Sequence, residues 1–104
     1  MRTLNGQYQL DSDVAVFFGA RTLKFIARDS YVTGRFGREG VIRGSVSGHE
    51  VLAEWHDKER RGWIRIHFSP SYKTAELEYG VDTSGESLGR SVMVRVVRST
   101  RVKP

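Results

Sequence analysis

The chain has 104 residues, eleven glycines, no cysteine and a formal net charge of +5. That length makes one domain, residues 1–104, with enough chain to bury a core, while the lack of cysteine excludes a disulfide framework or a thiolate metal site. No run approaches the roughly 20 apolar residues of a membrane helix, and the first residues lack the apolar stretch of a signal peptide, so a cytoplasmic location is the expectation.

Residues 4–10 alternate loosely and read as a first strand. Asp11, Ser12 and Asp13 mark a turn. The apolar run 14–18 reads either as a strand buried on both faces or as a short helical plug. After Gly19, the residues Leu23, Phe25 and Ala27 alternate with Thr22, Lys24, Ile26 and Arg28, which predicts a further strand.

A ten-residue rhythm follows. Val32-Thr33-Gly34-Arg35-Phe36 is succeeded by Ile42-Arg43-Gly44-Ser45-Val46 and then by Leu52-Ala53-Glu54-Trp55-His56. Side chains on a strand alternate between faces. Taken at its rhythm, the repeat puts Val32, Gly34, Phe36, Ile42, Gly44, Val46, Leu52, Glu54 and His56 on one face. Residues 63–68 add Ile64, Ile66 and Phe68, with Trp55 paired to Trp63 and Leu52 to Ile66. Residues 75–79 form a half-exposed strand, residues 80–89 a polar loop, and residues 92–98 a last strand. Residues 99–104 are expected to fray.

Short strands separated by turn signals give an all-β class. An antiparallel up-and-down meander removes its own edges by closing, so the predicted fold is a barrel of about eight strands with no long helix. Its expected filling is Val32, Phe36, Ile42, Val46, Leu52, Ile64, Ile66 and Phe68.

The residues Gly34, Phe36, Gly40, Ile42, Gly44, Val46, Leu52, Trp55, Gly62, Ile64, Ile66, Phe68, Tyr79 and Gly80 form a pattern that resembles small bacterial β-barrels of lipocalin-like or avidin-like architecture. The match covers just under half of the chain, and Glu54 stands where the rhythm places a third glycine. The resemblance implies a barrel that binds something and is usually not an enzyme. It also implies a late arginine packed across a tryptophan near a barrel end, with Arg95 set against Trp55 or Trp63.

Two sets of residues can carry chemistry. Glu54 and His56 share the otherwise apolar face and define a candidate interior polar site, for acid–base work or a polar ligand; the competing reading places them wet at a rim. The opposite face carries Tyr31, Arg35, Arg43, Trp55, Trp63, Arg65 and His67. Trp and Arg are enriched at binding hot spots, so these seven are the candidate partner-binding residues. Packing beneath residues 14–18 and burial in a self-interface are the competing readings of the aromatics. Registers that bring Arg35 near Arg43 set like charges side by side, which an anionic partner would relieve. His49, His56 and His67 have no metal-ligand spacing, and no nucleophile or phosphate-loop motif is present. No metal or other cofactor is expected.

Charge is uneven along the chain. Twelve Lys or Arg balance twelve Asp or Glu through Glu86, and the excess is Arg90, Arg95, Arg98, Arg101 and Lys103. Such an end attracts polyanions or simply keeps a tail solvated. The expected function is therefore a non-enzymatic module binding another protein, as an inhibitor, immunity or anti-defence factor, with self-association also open. Single-stranded nucleic-acid binding and carriage of a small ligand inside the barrel are the alternatives.

Overall fold

The computed structural model describes residues 4–83 and 85–96. Eight strands run in order: β1 Gly6–Gln9, β2 Thr22–Arg28, β3 Tyr31–Phe36, β4 Gly40–Ser47, β5 Glu50–His56, β6 Arg61–Phe68, β7 Thr74–Val81 and β8 Gly89–Arg95. Each pairs antiparallel with the next, and β8 returns to β1 through Tyr8 opposite Arg95 and Gln9 opposite Val94. The meander is thus a closed barrel, as the turn spacing predicts. The frayed tail expected over 99–104, and the end of the last strand at Val97 and Arg98, lie outside the described residues.

The apolar run after β1 is the plug, not a strand. Helix α1 spans Ser12–Phe18. The Asp11 side chain caps it by accepting from the Asp13 amide at 3.1 Å, and Gly19 ends it at φ 67°. The helix buries Val14 and Phe18, while Val16 points away. Phe17 and Phe18 pack edge-on against Trp55, at 5.5 and 5.3 Å between ring centres, and Phe18 meets Phe36 and Tyr79. A second aromatic group, Tyr8, Phe25 and Phe68, packs edge to face with centres 5.2–6.1 Å apart. Leu23, Ile42, Val51, Ile64, Ile66 and Met93 are fully buried among them. Each such side chain contributes roughly 1.5–3 kcal/mol by leaving water.

Strand β5 faces the other way from the rhythm's prediction. Val51, Ala53 and Trp55 point inward, whereas Leu52 is 57% exposed and Glu54 and His56 stand in solvent. The cause is the connection. Ser47 pairs with Glu50, which leaves a two-residue turn of Gly48 and His49 with Gly48 at φ 61°. Ile42 then lies opposite Trp55, and Val46 opposite Val51. Pairing Trp55 with Trp63 and Leu52 with Ile66 is likewise corrected: Trp55 faces Gly62, and Val51 faces Ile66. Of the expected filling, Leu52 is outside and Val46 is only partly buried; Val32, Phe36, Ile42, Ile64, Ile66 and Phe68 are inside.

Each tryptophan lies beside a cross-strand glycine. Trp55, inward, is opposite Gly62; Trp63, outward, is opposite Gly80. A Cβ at Gly62 would come within 2.8 Å of the Trp55 ring, and one at Gly80 would collide with the Trp63 indole. The Trp55 indole N–H donates to the carbonyls of Trp63 and Gly80, both at 3.1 Å, so the ring is buried with its polar atom satisfied.

Arg95, which the resemblance sets against Trp55 or Trp63, is met at a tyrosine. It reaches inward from β8, its guanidinium 5.9 Å from the Tyr8 ring centre and hydrogen-bonded to the Asn5 carbonyl. The tryptophan at the helix end is instead met by Arg60, which stands 4.7 Å from the Phe17 ring centre and 5.5 Å from that of Trp55. Asp57 holds Arg60 there at 2.9 Å. Desolvation raises the Asp57 carboxyl, but the amides of Glu59 and Arg60 and the Arg60 guanidinium outweigh it and hold the group below its usual value. A lowered folded value means the loop's stabilisation is complete above the ordinary aspartate range and is lost as pH falls through the folded value. Asp57→Asn should therefore melt below wild type at pH 7, with the gap closing as melts are repeated toward pH 3. A gap that stayed constant would show that the carboxylate does not fasten the loop.

Candidate functional site

The outer wall of β2–β6 is built in rows set by strand register. One row runs Lys24, Arg35, Val41, His56, Arg61. The next runs Ile26, Thr33, Arg43, Glu54, Trp63. A third runs Arg28, Tyr31, Ser45, Leu52, Arg65. Alternation along each strand puts these side chains outside because their neighbours fill the core.

Six of the seven residues expected to bind a partner stand on this outer surface: Tyr31, Arg35, Arg43, Trp63, Arg65 and His67. Trp55 does not; it is 0% exposed and belongs to the core. The interior polar site is also corrected. Glu54 and His56 lie outside because β5 is turned over, and they face water instead of a cavity.

The six do not form a single cluster. Tyr31, Arg43 and Trp63 line one groove of about 550 Å³ with Ser45, Leu52 and Glu54. Arg35 joins Arg43 and Lys24 in a neighbouring groove of about 340 Å³. Arg65 and His67 face a third, of about 420 Å³, whose other walls include Glu50, Glu76, Glu78 and Arg90. There the arginines already meet a carboxylate: Arg65 and Arg90 approach Glu78 at 3.7 and 3.4 Å, and the His67 ring lies 3.7 Å from Glu50. A hydrogen bond from Ser87, together with Arg90 and Arg65, holds the Glu78 carboxyl below its usual value against desolvation.

The first two grooves differ from the third. Among the described residues, no ion pair includes Lys24, Arg28, Arg35 or Arg43. Ile26, Tyr31 and Leu52 stand among them, each about half exposed. The Arg65 guanidinium sits 5.5 Å from the Trp63 ring centre, a cation–π contact contributing about 0.5–1 kcal/mol at an exposed site. Comparisons with protein-family models, curated proteins and solved structures give no match. What this wall can hold is therefore decided by its own chemistry.

Lys24, Ile26 and Leu52 belong to this wall and are not among the binding residues that the sequence suggests. Lys24 and Ile26 alternate with the buried Leu23 and Phe25, so their outward facing was legible. Their place beside Arg35 and Thr33 needs the β2–β3 register. Leu52 was hidden by the misread face of β5. Large rings stand inside the barrel, with Trp55, Tyr8, Phe25 and Phe68 all under 2% exposed. Burial also pushes the Tyr8 and Tyr79 phenols up, against the opposing charge of Arg95 at Tyr8.

Proposed function

We propose that this protein is a lipocalin-like barrel used as a non-enzymatic binding module, which engages another protein through the outer wall of β2–β6. One observation carries the reading. Ile26, Tyr31, Leu52 and Trp63 stand outside near Lys24, Arg28, Arg35 and Arg43, which form no ion pair among the described residues. Aromatic and Arg anchors with aliphatic neighbours are the composition of protein hot spots. The excess of cations over Glu54 on this wall selects a partner with an acidic face, since opposed potentials both speed encounter and reject wrong partners. The ring-filled interior favours this surface over carriage of a small ligand inside.

The test is capture by immobilised wild type and by the Trp63→Ala and Arg43→Ala variants, with each variant's melting temperature checked beside it. The expected result is that either substitution weakens capture of the same partner at least tenfold while the barrel stays folded. Undiminished capture by both variants sinks the reading. Retention of single-stranded DNA in a gel that is lost steeply with added salt would move the function to nucleic-acid binding.

A further inference from the structure

Three outward cations converge on one small groove. Lys24 is directly opposite Arg35 across β2–β3. Arg43 is opposite Thr33, which makes it the diagonal neighbour of Arg35 across β3–β4. Like charges placed so cost the folded chain stability, and among the described residues none of the three forms an ion pair. Glu54 is the cross-strand neighbour of Arg43 and shares the adjoining groove with it and Trp63, so it faces Arg43 alone of the three and does not line this groove. The three cations share a groove of about 340 Å³ with Thr33, Ile26 and Val41.

Building on the protein-binding reading above, we propose that this groove receives a phosphate monoester carried on the partner, that is, a phosphorylated side chain. The ligand class follows from charge and geometry. Three cations around one small groove are best neutralised by a group of about −1.5 to −2 charge with three acceptor oxygens, as a phosphate monoester has near pH 7. Two guanidinium forks can each grip a pair of phosphate oxygens, the Lys24 ammonium supplies a point charge, and the Thr33 hydroxyl is a further donor. A carboxylate brings a single charge and leaves more of the repulsion standing. A phosphodiester also brings one charge, with two free oxygens per unit. Ile26, half exposed, and Val41, partly buried, offer an apolar wall to the carbon part of the side chain that bears the phosphate.

The experiment is an amide-resolved NMR titration of the full chain with phenyl phosphate, with benzoate as the singly charged analogue, and with a twelve-residue oligothymidine. Phenyl phosphate should shift the amides of Thr33, Gly34, Arg35 and Arg43, and benzoate should bind at least tenfold more weakly. Arg35→Ala should weaken phenyl phosphate about tenfold or more, the scale of one lost charge-assisted hydrogen bond, while Lys58→Ala, on the loop after β5, should not. Lys24→Ala gives the same readout should Arg35→Ala fail to fold. Absent shifts at those amides, equal binding of benzoate, or unchanged affinity in both groove variants would overturn the proposal. Oligothymidine binding more tightly than phenyl phosphate, with shifts running on to Trp63, would overturn it in favour of nucleic acid. If phosphate shifts nothing but capture still depends on Trp63, the phosphate site falls and the docking wall stands.

Discussion

Trp55→Ala should destabilise the barrel by about 3–5 kcal/mol, the range for deleting a buried large aromatic. That is a large share of the roughly 5–15 kcal/mol that holds a domain of this kind together. The ring is 0% exposed and touches Phe17, Phe18 and Phe36, so its removal leaves a hole between the helix and the wall. It also removes the donor to the Trp63 and Gly80 carbonyls. Trp63→Ala should cost on the order of 1 kcal/mol, as expected for a side chain standing outside. Urea unfolding followed by circular dichroism measures both. Similar midpoints for the two variants would mean that Trp55 is not the inward one.

Gly62→Ala should be the most damaging single-methyl change on the wall. The new Cβ would collide with the Gly80 carbonyl oxygen and press on the Trp55 ring at 2.8 Å. A flexible side chain could swing aside, but a carbonyl in a closed ladder cannot. The cost should reach about 3 kcal/mol, the upper end of ordinary overpacking. Gly85→Ala is the control, since nothing lies within 4 Å of its Cβ position; it should be neutral or slightly stabilising, by up to about 1 kcal/mol through the unfolded chain. Because the methyl added by Gly62→Ala would displace the same ring that Trp55→Ala deletes, the double variant should be less destabilised than the separate costs imply. Strict additivity would show that the two sites do not touch.

The closed meander was legible because it depends on local signals: alternation along each strand and a turn at regular intervals. Facing is a different matter. One residue more or fewer in a turn flips a whole strand, and the Gly48-His49 turn did this to β5. The clue lay within the strand itself, where Glu50, Glu54 and His56 alternate with Val51, Ala53 and Trp55. The repeat of Gly34 and Gly44 outweighed that clue and placed Glu54 inside. Helix α1 was half-legible: Asp11 and Gly19 are cap residues, but five consecutive apolar residues suit a strand equally well. The outer arginines were legible as a face. Their grouping was not, because only register tells that Arg35 sits between Lys24 and Arg43 while Arg65 is already matched by Glu78.

The two indoles, one sealed inside and one laid along the outer wall, give the protein a built-in pair of optical gauges. Trp63→Phe leaves only the enclosed emitter, which should glow at shorter wavelength and resist iodide quenching until the barrel opens. Trp55→Phe leaves only the wall emitter, which should be quenched readily and respond when something lands beside it. A loss of binding and a loss of fold can then be told apart by colour in the same cuvette.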